Sequence, residues 1–214
     1  GDDNTAVGYN AGTQINTGSN NTVIGAYAGD ALTTGVQNVA IGYEALSTEN
    51  AHGTVVAVGF QALKTQDAGA NTYNVAVGYQ AGLSVTTGTL NTLVGGLAGD
   101  ALTTGNRNVA IGYEALSTED TGSRNVAIGE GSLTLLNYDG AAYNVAIGYD
   151  SGHAMTTGFQ NTIIGGLAGD ALTIGVANVA LGYSALGASV DGDYNTAIGF
   201  QALKDYEDGD GDGH

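Results

Sequence analysis

One pentapeptide, of the form Asn38-Val39-Ala40-Ile41-Gly42, is written twelve times through this 214-residue chain. Its closing glycines are Gly8, Gly25, Gly42, Gly59, Gly78, Gly95, Gly112, Gly129, Gly148, Gly165, Gly182 and Gly199. The gaps between them run 17, 17, 17 and 19, repeat that series, and end with three more of 17. Twelve units therefore group into three blocks of 70. Self-similarity at a fixed period marks a repeat architecture. The unbroken period argues for one repeat domain over 1–204 (blocks 5–74, 75–144 and 145–214), with 205–214 set apart as an acidic glycine-rich tail and possible junction.

Each motif places β-branched or apolar residues at three consecutive positions, which predicts a strand buried on both faces. The residue before the glycine is always Val, Ile or Leu, and the one three before it is Val or Thr. These two share a face because side chains alternate along a strand. The residue between them is mostly Ala, as at Ala6, Ala40, Ala57, Ala76, Ala110, Ala127, Ala146, Ala180 and Ala197. The expectation is a core filled by the branched face, with the small alanine face lying against a neighbouring chain or a second layer. In the second unit of each block the Ala becomes Val23, Leu93 or Ile163, and the residue after the glycine shrinks to Ala26, Gly96 or Gly166. Volume gained on one side and lost on the other is what close packing demands.

Beyond each glycine come two variable residues, a small one (Ala ten times, Ser132 and Ser151 otherwise), then Gly or Leu. This predicts a turn into a second, weaker strand, with Thr-Gly pairs such as Thr34-Gly35 and Thr104-Gly105 returning the chain. The economical geometry is an all-β parallel β-solenoid of twelve ~17-residue coils, a rod about 58 Å long at a strand spacing of about 4.8 Å.

The run Asn-Val-Ala-Ile-Gly-Tyr-Glu-Ala-Leu, at 38–46 and again at 108–116, resembles the head repeats of trimeric autotransporter adhesins and related bacteriophage and marine-virus fibre repeats. The resemblance covers residues 4–203. It implies a left-handed parallel β-roll with three rolls packed around an axis.

The best-marked polar feature is the column Asn4, Asn21, Asn38, Asn74, Asn91, Asn108, Asn125, Asn144, Asn161, Asn178 and Asn195, broken by Val55. Stacked in neighbouring coils, each side chain would bond the backbone of its own turn and of the next coil, a structural ladder rather than a ligand site. The Tyr and Phe after the glycine read as corner packing, or alternatively as a strip for sugars or surfaces. His52, His153 and His214 hold three unrelated places in the repeat and form no catalytic trio. Asp30, Asp100 and Asp170 recur four coils apart. That is about 19 Å at the strand spacing of a sheet. Acid/base pairs lie within about 9.5 Å, so these aspartates read as turn caps. In the tail, Asp208, Asp210 and Asp212 alternate with glycine, a donor pattern suited to Ca²⁺. Asp2 and Asp3 of another copy would join them if chains met end to end, since His214 falls in the register of the next asparagine.

The formal charge of −17, with four basic residues, argues against nucleic acid or an anionic membrane surface as partner. No apolar run approaches the roughly 20 residues of a membrane span. Gly1 in place of an initiator Met reads as a processed or excised segment. These features together point to a non-enzymatic extracellular, cell-surface or virion fibre module that self-associates, end to end into filaments. The rival is an adhesin or receptor-binding head for glycans or surfaces. An ice-binding solenoid ranks third, since it wants a regular array of Thr.

Overall fold

A computed structural model describes residues 1–206 of the chain. Each motif forms one three-residue strand: β1 (Thr5–Val7), β2 (Thr22–Ile24), β3 (Val39–Ile41), β4 (Val56–Val58), β5 (Val75–Val77), β6 (Thr92–Val94), β7 (Val109–Ile111), β8 (Val126–Ile128), β9 (Val145–Ile147), β10 (Thr162–Ile164), β11 (Val179–Leu181) and β12 (Thr196–Ile198). They stack in chain order into one parallel twelve-stranded sheet, each coil in register with the next. The all-β parallel solenoid expected from the period is what the chain forms.

The expected assignment of the strand faces is reversed. The middle residue points into the coil: Ala40, Ala57, Ala110 and Ala180 are fully buried, as are Val23, Leu93 and Ile163. The branched residues on either side point outward, and Ile111, Leu181 and Ile198 are 36%, 43% and 64% exposed. The strands are thus buried on one face only. The interior is narrow, and a small residue leaves room for side chains arriving from the turn.

Those side chains come from two columns that substitute for one another. Four residues after the motif glycine stand Gly12, Gly29, Leu46, Leu63, Gly82, Gly99, Leu116, Leu133, Gly152, Gly169, Leu186 and Leu203, alternating in pairs. Where this residue is Gly, a large apolar side chain three positions on fills the space: Ile15, Leu32, Val85, Leu102, Met155 and Leu172. Where it is Leu, the later position is free to be Glu49, Gln66, Glu119 or Ser189; Leu136 is the one described position that keeps a leucine. A Cβ placed on Gly29 would lie 2.8 Å from Leu32 Cδ1. Apart from the coil of Leu133 and Leu136, which fills both, the fully described coils receive their bulk from one column or the other, and each fully buried leucine contributes about 1.5–3 kcal/mol.

No second strand follows the turn among the described residues; outside the sheet there is a single bridge, Ser123 to Ala141. The reason is backbone conformation. In every coil the residue before the asparagine position and those two and four after the glycine have positive φ, for example Arg107 (58°), Glu114 (54°) and Leu116 (55°). Left-handed residues interrupt extended chain at a cost of about 1–2 kcal/mol each. They also swing their N–H groups along the rod axis, and that offsets the cost. Arg107 donates to Thr89 O (3.0 Å) and Glu114 to Gly96 O (3.0 Å) of the preceding coil, and Leu116 donates to Ser132 O (3.0 Å) of the following one. Coil-to-coil hydrogen bonding thus continues around the turns without a ladder.

Two substitutions test this packing. A Cβ on Gly112 would fall on the carbonyl of Gly129 in the next coil, at φ 140°. Gly112→Val should open the rod locally, read as lost amide protection in β7 and β8, whereas Glu114→Gln should leave the melting curve almost unchanged. Gly29→Leu should overpack against Leu32 and destabilise by about 1–3 kcal/mol. Adding Leu32→Ser, which reproduces the Leu186/Ser189 pairing, should recover most of the loss.

Candidate functional site

The asparagine column runs along one corner of the coil. Asn21, Asn38, Asn91, Asn108, Asn144, Asn161 and Asn178 are buried, and each repeats one bonding pattern. In Asn91 the Nδ2 donates to Gly105 O of its own coil (2.8 Å), and Oδ1 accepts the backbone N–H of Asn108 in the next coil (2.9 Å). Asn4 begins the series, donating to Gly18 O and accepting from Asn21 N. At Asn125 the Nδ2 turns instead to Asn108 Oδ1, 3.3 Å away. Asn195 donates its backbone N–H to Asn178 Oδ1 (2.9 Å), and its own amide atoms have no partner among the described residues. The rest of the column spends its amides on its own turns and neighbouring rungs, so it organises the coils and offers no face to a ligand.

The break at Val55 is repaired from inside. Val55 N still donates to Asn38 Oδ1 (3.2 Å) but has no side chain to continue the ladder. Gln66 takes that space: its Oε1 accepts from Asn74 Nδ2 (2.8 Å), and its Nε2 faces Glu49 Oε2 (3.4 Å). Glu49 in turn accepts from His52 N (3.1 Å). Glu119, the same position one block later, accepts from Gly122 N (2.6 Å) and Tyr138 N (3.0 Å). Sequence reasoning misses this buried polar column; its signal is the Glu, Gln and Ser at positions that elsewhere carry a large apolar residue.

The rings of the aromatic column turn toward one another. Tyr43, Phe60 and Tyr79 stack at centroid distances of 5.4 and 5.3 Å, within 12° of parallel. Tyr183 and Phe200 stack likewise at 5.7 Å. Rings stacked this way spend their π faces on one another and present edges to solvent. Where the column shrinks, a neighbour covers the gap. Tyr27 sits edge-on between Tyr9 and Tyr43, and the Tyr113 ring lies 3.4 Å from where a Gly96 side chain would begin. These rings pack against one another along the corner, whereas Tyr113 and Tyr149 are more than half exposed.

Carboxylates crowd the same side of the rod. Burial pushes the Asp30, Asp100 and Asp170 carboxyls above their ordinary value, with the charges of Glu44, Glu114 and Asp150 respectively adding to it. Burial likewise raises Glu119, against the pull of its backbone N–H donors. Glu44 goes the other way, lowered by the ammonium of Lys64 at 2.6 Å and by Gln61 at 2.8 Å. Among the described residues no three His, Asp or Glu side chains come together as a metal site. Asp2 and Asp3 lie in the exposed first coil, whereas Asp208, Asp210, Asp212 and His214 fall outside the described residues.

What remains is the outward face of the sheet. Two columns of branched residues run its length, Val109 and Ile111 in one coil, Val126 and Ile128 in the next. In the first column five positions are Thr (Thr5, Thr22, Thr92, Thr162 and Thr196) and the other seven Val, so no regular threonine array forms. No family model, no curated protein and no solved structure matches the chain.

The carboxyl shifts carry a pH dependence. Asp30, Asp100, Asp170 and Glu119 hold protons more tightly folded than unfolded. Their contribution to stability is therefore full at low pH and is lost as pH rises from the unfolded values of 3.8 and 4.5 through the raised folded ones. Glu44, being lowered, loses its contribution only as pH falls below 4.5. The melting temperature should rise when pH is brought from neutral toward about 5, and Glu119→Gln should flatten that rise.

Proposed function

We propose that this protein is a non-enzymatic structural fibre module of an extracellular or virion surface, self-associating through the outward face of its sheet and continuing end to end. The observation that carries the reading is that face itself. Its outward strand positions, two from each of twelve strands, are Val, Ile, Leu or Thr and form one uninterrupted strip. Monomers rarely expose contiguous apolar surface beyond a few hundred Å², and larger patches mark association sites. At the two ends, β1 and β12 each have a single neighbour among the described residues. Unpaired parallel edges of matching register favour further coils of the same kind. The repeated Asp30, Asp100 and Asp170 stand too far apart along the rod for an acid/base reaction, which supports a structural reading. Adhesion through the aromatic column is less well supported, because five of its rings, Tyr43, Phe60, Tyr79, Tyr183 and Phe200, stack on one another.

Outward and inward substitutions separate association from folding. Ile111→Glu with Ile128→Glu should leave circular dichroism and melting nearly unchanged while converting associated chains to monomers in sedimentation velocity. Ala110→Leu, pointing inward, should instead lower the melting temperature. Retained association in the glutamate variant would overturn the reading.

A further inference from the structure

The outward face has two rims, and in the middle block they carry opposite charge at the same height. On one rim, just before the asparagine position, stand Arg107 and Arg124 in neighbouring coils, both exposed. On the other rim, just past the glycine, stand Glu114 and Glu130 of the same two coils. Between the rims lie Val109, Ile111, Val126 and Ile128 on the outside, with exposed Tyr113 beside Glu114. Among the described residues neither arginine is paired with a carboxylate; the ion pairs found are His52–Glu49 and Lys64–Glu44. Arg124 rests over the Tyr143 ring, 5.3 Å from its centroid. That attraction between cation and ring props the guanidinium up along the rim.

Comparison of the three blocks makes the pairing specific. The counterpart of Glu114 in the first block is Glu44, neutralised within the chain by Lys64, and the opposite rim there carries uncharged Gln37 and Thr54. In the second block the lysine position becomes Thr134, and the two arginines occupy the opposite rim. In the third block Lys204 returns, but Glu114 and Glu130 become Ser184 and Phe200, and the arginines become Ala177 and Tyr194. Arginines thus stand across the strip from acids in the middle block alone; the rim acid of the third block, Asp150, has Tyr143 and no cation opposite it in its coil. The fold does not require the arginines. Their positions have φ 58° and 63°. Asn or Asp is the less strained choice at such values, as at Asn20 and Asp3.

We propose that Arg107 and Arg124 of one copy pair with Glu114 and Glu130 of the next, an ionic lock that holds copies parallel and in register. The inference rests on association through the apolar face. Any rotation axis parallel to the rod brings the arginine rim of one copy against the glutamate rim of its neighbour with no axial shift. An antiparallel arrangement, with the axis across the rod, sets arginine against arginine. For a chain of charge −17, whose copies repel at long range, this pairing supplies attraction in one orientation only.

Sedimentation of the full chain at low and at high salt tests the lock, since exposed pairs weaken with ionic strength. Arg107→Glu with Arg124→Glu should weaken association about tenfold or more at low salt, as should Glu114→Arg with Glu130→Arg, while dichroism stays unchanged. Combining all four reversals in one chain should restore affinity. Intact association in both double reversals, or failure of the fourfold swap to restore it, would overturn the lock; loss in the Ile111/Ile128 variant would still leave the apolar face standing. A wild-type chain that is monomeric at every concentration would overturn both.

Discussion

Register between coils hangs on one repeated hydrogen-bond pair, the asparagine side chain that ties its own turn to the backbone of the next coil. The parallel sheet alone is a weak guide to register, because each strand has three residues and any coil resembles any other. The asparagine adds a bond that exists only when coils are aligned, with Nδ2 closing its own turn 14 residues on and Oδ1 receiving the next coil's N–H 17 residues on. Buried amides are costly to leave unpaired, so a slipped coil would strand polar groups in a dry interior. Gln66 shows how strict the demand is: where Val55 removes one rung, another buried amide is brought in to receive Asn74.

The period, the strands and the asparagine column are plain in the sequence, because each depends on spacing and residue type alone. Inside and outside along the strand are not. Val39-Ala40-Ile41 is apolar at every position, so alternation defines two faces without naming the buried one. The deciding information lies elsewhere, in Ala45 and Leu46 of the turn, which with Ala40 already fill the narrow interior. The missing second strand has a similar cause. Gln61, Leu63 and Arg107 do not advertise positive φ, and only the demand for axial hydrogen bonds places them there. The candidate surface is obscured by the same inversion, since the branched residues that form it read as core.

Inside the rod the 70-residue superperiod is a packing solution. Gly29 goes with Leu32, Leu46 with Glu49, and Leu186 with Ser189, so the two columns change together, with Leu133 and Leu136 the exception. Met155 fits the same slot beside Gly152, as a flexible thioether can. Bulk shifts from one column to the other every two coils, and the strand alanine gives way to Val23, Leu93 or Ile163 once per block. Substitution inside is therefore correlated within a coil and between neighbouring coils.

Outside, no such coupling operates through packing. The residue before each asparagine position needs only to tolerate positive φ, and the chain places Asp3, Gln37, Leu90, Arg107 and Tyr143 there. A column freed from volume constraint still shows correlation, and that correlation is electrostatic. Lys64 sits beside Glu44 in one block, arginines stand across the face from Glu114 and Glu130 in the next, and the third has neither arrangement. Within a coil, Arg107 and Glu114 lie on opposite rims of an apolar strip and have no contact that would link them. A second chain on that strip would supply the contact, and the middle block is then where the outer surface carries instructions for orientation.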